Sequence, residues 1–130
     1  MCENNSIMFI MRVGIEEYSR VEVYFEAIKY INLPIIPQIK MNILNIDEIV
    51  NHFDISRVDY DIASKTYKVF DLESIERYCV MGSEGRMKWV DERIELYTTH
   101  GWSINKLKRY EEGIKAVKDE IKWKNRNIEW

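Results

Sequence analysis

Ile7-Met8-Phe9-Ile10-Met11-Arg12-Val13 is a nearly unbroken run of apolar, β-compatible residues, and shortly after it Arg20-Val21-Glu22-Val23-Tyr24-Phe25 alternates with period two. A short apolar run suits a buried strand, and strict alternation suits a strand with one face turned to a core. The two segments therefore predict adjacent strands separated by a break at Gly14, which puts a sheet in the N-terminal half. Downstream, Pro34 and Pro37 each remove a ladder donor, so pairing is expected to be interrupted and to resume over Gln38 to Ile43 as an edge strand or bulge. Asp47 reads as the N-cap of a short helix through His52, with Ile46, Ile49, Val50 and Phe53 at helical spacing. Val58, Tyr60 and Ile62 then alternate with Arg57, Asp59 and Asp61, and Tyr67 and Val69 repeat the pattern after Ala63-Ser64-Lys65, which reads as a hairpin.

From Leu72 onward the period changes. Leu72 to Val80 reads as a short helix stopped near Gly82 and Gly85. Met87 to Tyr97 places Met87, Val90, Ile94 and Tyr97 on one helical face, and Gly101 ends it. With Ser103 or Asn105 as cap, Leu107, Tyr110, Ile114, Val117 and Ile121 step by three and four through a last helix to about Lys124. The pattern predicts a single α+β domain over residues 1–130: a small mixed or antiparallel sheet from the N-terminal half, packed by helices from the C-terminal half.

Composition narrows the function classes. The chain has 130 residues, 46% apolar and 32% charged, which is a globular composition. A net charge of -3 argues against a broad nucleic-acid-binding surface, although Lys106, Lys108, Arg109, Lys115, Lys118, Lys122, Lys124 and Arg126 concentrate basic charge near the C-terminus. The apolar runs Ile7 to Met11 and Leu33 to Ile36 are too short to span a bilayer, and no basic start leads into a signal-peptide core, so a cytoplasmic protein without membrane contact is expected. Cys2 and Cys79 are far apart and are expected as free thiols. Isoleucine (19) far exceeds leucine (5) and alanine (3), as AT-rich coding sequence produces, which fits a phage, a mobile element or a low-GC bacterium.

Few residue groups point to chemistry. Asp59 and Asp61 would share a strand face, where paired carboxylates can hold a cation, but they also form the polar side of an alternating hairpin, and the solvated role is the stronger reading. His52 and His100 have no Cys or His at ligand spacing and read as surface or helix-end residues. The five glycines form no phosphate cradle, and no nucleophile elbow is present, so no cofactor is expected. Trp89, Tyr97, Trp102, Tyr110 and Trp123 interleave with Lys and Arg, which suits base stacking but more often marks a core with lysines extended around it. The stripe on the last helix could also pair two chains as a homodimer, though packing on its own sheet is favoured.

Gln38-Ile39, Asp47-Glu48-Ile49, Phe53-Asp54-Ile55, Tyr60-Asp61, Arg93, Tyr97, Gly101-Trp102 and Ile104 occur in the order seen in a nucleotidyltransferase-like family of phages and large DNA viruses. The segment from Pro37 to Ile104 resembles the C-terminal part of that family. The resemblance implies a reduced nucleotidyltransferase-like fold in which Arg20 to Phe25 occupies the Asp-x-Asp strand and Asp54 the third carboxylate of a two-metal site. At those positions Arg20 replaces the first Asp and Glu22 the second, with no Gly-Ser pair upstream. A guanidinium repels the cation such a site must hold, so the resemblance implies a degenerate centre.

The leading expectation is a non-enzymatic binding protein of phage or mobile-element origin that occupies and blocks a host protein complex. An anti-defence inhibitor of the anti-CRISPR type is one form. Its binding residues are expected on the final helix and its approach: Trp102, Lys108, Lys115 and Trp123. The alternatives are a metal-dependent nucleotidyltransferase-like enzyme using Glu22, Asp54 and Asp61, and a nucleic-acid binder working through the basic C-terminal helix.

Overall fold

The computed structural model describes the backbone of residues 5–128 and the side chains of residues 5–125; Cys2 and the side chain of Arg126 lie outside that range. The first two predicted strands form one long antiparallel hairpin, β1 (Asn5–Glu17) and β2 (Arg20–Leu33). Ile7, Phe9, Met11, Val13 and Ile15 alternate onto one face of β1, and all are buried. Ile10 points the other way and is buried too, between Ile28 and Phe70 directly across in register on either side.

Gly14 does not break the strand, as its sequence position suggested. It lies inside β1 at a bulge, where the register with β2 shifts between Val13 and Gly14. A Cβ at Gly14 would collide with the backbone carbonyl of Glu22, so the close approach of the two strands admits only glycine. The extra residue on β2 lets Tyr24 and Phe25, consecutive in sequence, both bury their rings. The chain reverses at Tyr18-Ser19, both with positive φ (52° and 62°), a two-residue turn whose twist matches the hairpin.

On the other side of β1, β6 (Thr66–Glu76) runs parallel to it. β5 (Arg57–Asp61) pairs antiparallel with Thr66 to Phe70, as the alternation predicted. β7 (Ser103–Lys106) adds to the far edge against Phe25 to Ile28. The sheet is mixed, in the order β5-β6-β1-β2-β7.

Four expected helical features are replaced. Leu72 to Val80 is not a helix: β6 continues to Glu76 and only Arg77–Cys79 turns, as a short 3-10 segment. Asp71, Glu73 and Ile75 lie across from Met11, Val13 and Ile15, so the ladder with β1 overrides local helix propensity. Asp47 to His52 is the connection of a separate ribbon, β3 (Asn42–Leu44) and β4 (His52–Asp54). Asp47 does cap that connection, accepting the Ile49 and Val50 N–H groups at 3.0 and 2.8 Å, but no helix follows. Gly82 and Gly85 open a helix instead of stopping one: α1 (Gly82–Thr99) buries Met87, Val90 and Tyr97 and ends before Gly101, at φ 85°. Ser103 and Asn105 belong to β7, and the last helix, α2 (Lys108–Ile128), follows it.

The helices and the ribbon share one face of the sheet. Phe53 of the ribbon meets Phe9 edge-on at 5.0 Å, and Tyr97 of α1 meets Phe25 at 6.2 Å. α2 lies over β2 and α1, with Tyr110 buried and Gly113 against Met87. The opposite face carries Met8, Ile28, Tyr30, Phe70 and Leu72 among Arg12, Glu26, Arg57 and Lys68, and no described element covers it. No described helix is long and apolar enough to cross a membrane.

Candidate functional site

The most distinctive surface forms where β5 ends. Phe70 turns its carbonyl toward β5, accepting from the N–H and the hydroxyl of Ser56, both at 2.9 Å. Successive residues of a strand aim their backbone groups to alternate sides, so Leu72, Ser74 and Glu76 face the same way. The chain has already left the sheet at Ser56, and no described strand pairs with β6 beyond Phe70 on that side. Asp71 manages the start of this open edge. One oxygen of its carboxylate accepts the Asp54 N–H at 3.0 Å and the other the N–H of Leu72 at 2.7 Å. Burial pushes the Asp71 carboxyl above the usual range; the two N–H groups oppose that shift, and the Asp54 and Glu73 charges add to it.

Beside the edge, on the helix-bearing face, is a cleft of about 470 Å³ between β6, α1 and the β3–β4 connection. Asp71 and Glu73 share its floor because residues two apart on a strand point the same way. Glu73 accepts two hydrogen bonds from the Arg93 guanidinium of α1 in a fork-on-fork pair. Arg93 in turn lies 5.4 Å from the centroid of the Tyr97 ring. Tyr97 lines the cleft wall but is fully buried, and its hydroxyl, closed off from solvent, lies beside the Glu73–Arg93 pair without a well-aligned hydrogen bond among the described residues. Burial, reinforced by the Glu73 charge and opposed by Arg93, raises the Tyr97 pKa well above the phenol range, so the group is a neutral donor. His52, Asn51, Val50 and Ile49 form the opposite wall.

That wall is pinned from behind. Besides the two backbone N–H groups, the Asp47 carboxylate accepts from Trp102 Nε1 at 2.7 Å and Lys29 Nζ at 3.1 Å, and Lys29 also reaches the His100 carbonyl at 3.0 Å. Burial opposes the charge on Asp47, yet its hydrogen bonds from Trp102, Val50, Lys29 and Ile49 together outweigh burial and hold the carboxyl below its usual range. One side chain thus joins the ribbon, the central sheet and the end of α1.

The residues singled out from sequence fall elsewhere. Glu22 lies across from Ile15 near the Tyr18-Ser19 turn and takes an ion pair from Arg109. Asp54 sits beside Asp71, which faces Met11. Asp61 lies across from Thr66 at the opposite end of the sheet, accepting the Ala63 N–H and facing Lys68. Ile15 and Met11 are four residues apart on β1, roughly 13 Å at strand rise, so Glu22 and Asp54 do not share a cation. Among the described residues no group of three or more His, Cys, Asp or Glu is placed to hold a metal. Asp59 pairs with Arg57, the solvated role expected of it.

Trp102 is a correction. It was expected on the surface, but it is 3% exposed, edge-on to Tyr97 at 5.4 Å and bonded to Asp47. Lys108 and Lys115 are exposed on α2, and Trp123 is 67% exposed. None of the four lines the cleft. Reading Leu72 to Val80 as a helix hides that Asp71, just before it, and Glu73 share a strand face; the alternation Phe70-Asp71-Leu72-Glu73 is the signal that marks it. Comparison with models of known protein families, with curated protein sequences and with solved structures finds no match for this chain.

Proposed function

We propose that the protein is a non-enzymatic binding protein that acts by occupying a surface of a protein partner. The observation that carries this reading is the open edge of β6 from Leu72 to Glu76, flanked by an acidic cleft on one face and by exposed Leu72 and half-buried Phe70 on the other. An unpaired strand edge is a row of backbone donors and acceptors, and natural sheets either blunt such edges or use them to add a strand from another chain. Here the blunting stops at Asp71, and the exposed residues that follow carry neither a lysine nor a proline. An inhibitor of a host complex, such as a bacterial defence system, would act in this way by masking a segment its target needs.

The reading is tested by capturing partners from nuclease-treated bacterial lysate on the tagged full chain and on a Ser74→Pro variant. Proline fits an edge strand whose N–H faces outward but removes the donor and fills the space an added strand needs. A stoichiometric protein that is retained by the original chain and lost from the variant supports the reading. Equal capture by both, or no partner with either, refutes it.

A further inference from the structure

We infer that the β6 edge takes an extended peptide segment in which basic residues alternate with apolar ones, the basic side chains entering the cleft. This rests on the binding reading above and adds the chemistry of the occupant. A strand laid along Leu72, Ser74 and Glu76 would send alternate side chains to the two faces of the sheet. Those on the helix-bearing face arrive over Asp71 and Glu73. Glu73 is already paired with Arg93, but Asp71 accepts only backbone N–H groups, and Asp54 adjoins it, so the cleft carries uncompensated negative charge.

A lysine or arginine stem reaching in brings its nitrogens to the Asp71 and Asp54 carboxylates.

The other face selects differently. There Leu72, 45% exposed, lies across from Arg12, and Phe70 lies under the Arg57 guanidinium at 5.0 Å. On that side Glu26 lies across from Arg12 and Asp59 pairs with Arg57, so what the face offers is the apolar contact of Leu72 and Phe70. The two faces of one edge therefore differ, acidic on one side and apolar with paired charges on the other, which fixes which side chains of the segment point which way. A slip by one residue would take every lysine out of the cleft and onto the apolar side.

The test is fluorescence anisotropy of a labelled synthetic peptide of alternating Lys and Val with the full chain. Parallel titrations use a peptide of alternating Glu and Val, and the Lys-Val peptide with alternate backbone nitrogens methylated. Ser74→Pro and Asp71→Asn variants are titrated beside them, each first checked for an unchanged circular dichroism spectrum. The inference expects saturable binding of the Lys-Val peptide, weakened about tenfold or more by the Glu exchange, by backbone methylation and by Ser74→Pro, and weakened several-fold by Asp71→Asn. Binding of the Glu-Val peptide as tightly, with loss in Ser74→Pro, would overturn the charge assignment while leaving the binding reading intact. Binding of neither peptide, with lysate capture also indifferent to Ser74→Pro, would remove both. A self-associating chain that becomes monomeric on Ser74→Pro in sedimentation would place a second copy on the edge and overturn the peptide assignment.

Discussion

Asp47 is the single side chain whose removal should cost the fold most for its size. Asp47→Ala strips an acceptor from four donors: the Ile49 and Val50 N–H groups, Lys29 Nζ and Trp102 Nε1. Trp102 is 3% exposed, so its indole N–H finds no water in exchange, which costs about 1–3 kcal/mol. The two turn N–H groups resemble an N-cap and contribute about 1 kcal/mol. Lys29 keeps the His100 carbonyl and some solvent, so its part is about 0.5–1 kcal/mol. The expected loss is about 3–5 kcal/mol, a large share of the roughly 5–15 kcal/mol that stabilises a domain. Urea titration followed by circular dichroism measures it at neutral pH, where Asp47→Asn, which keeps one acceptor, should lose about half as much. The folded carboxyl is held below its unfolded value, so its contribution is fully present above the ordinary carboxylate range and is lost as pH falls through the depressed folded pKa. The Asn variant should therefore lack that acid-side decline. A loss below about 1 kcal/mol for Asp47→Ala would refute the view that this carboxylate ties ribbon, sheet and helix together.

The other predictions concern the backbone and the tryptophans. Gly14→Ala forces a methyl group onto the Glu22 carbonyl and should destabilise by about 3 kcal/mol or more, read as a lowered urea midpoint with unchanged slope. Ser19→Gly relieves a side chain held at φ 62° and should stabilise by about 0.5–1 kcal/mol, read as a raised melting temperature. Trp102→Ala should cost about 3–5 kcal/mol, whereas Trp123→Ala should stay within about 0.5 kcal/mol, a contrast that equilibrium unfolding resolves directly.

Much of the architecture was legible in the residues. Period-two alternation marked β2 and the β5–β6 hairpin, the three-four spacing of Met87, Val90 and Tyr97 marked α1, and the α+β class followed from both. These patterns were readable because each element buries one face, and the buried positions repeat with the geometry of the element itself. Only the tertiary structure decided the rest. Leu72 to Glu76 became strand because β1 offers a parallel ladder, and Gly14 became a bulge because Glu22 crosses it so closely. Trp102 went inside because Asp47, 55 residues earlier, supplies an acceptor for its N–H. The cleft of Asp71, Glu73 and Tyr97 depends on where β5 stops and how α1 crosses the sheet, and no local spacing encodes that. Local sequence determines which face of an element is apolar; which faces meet, and which edge is left open, is set by long-range pairing that only the folded chain contains.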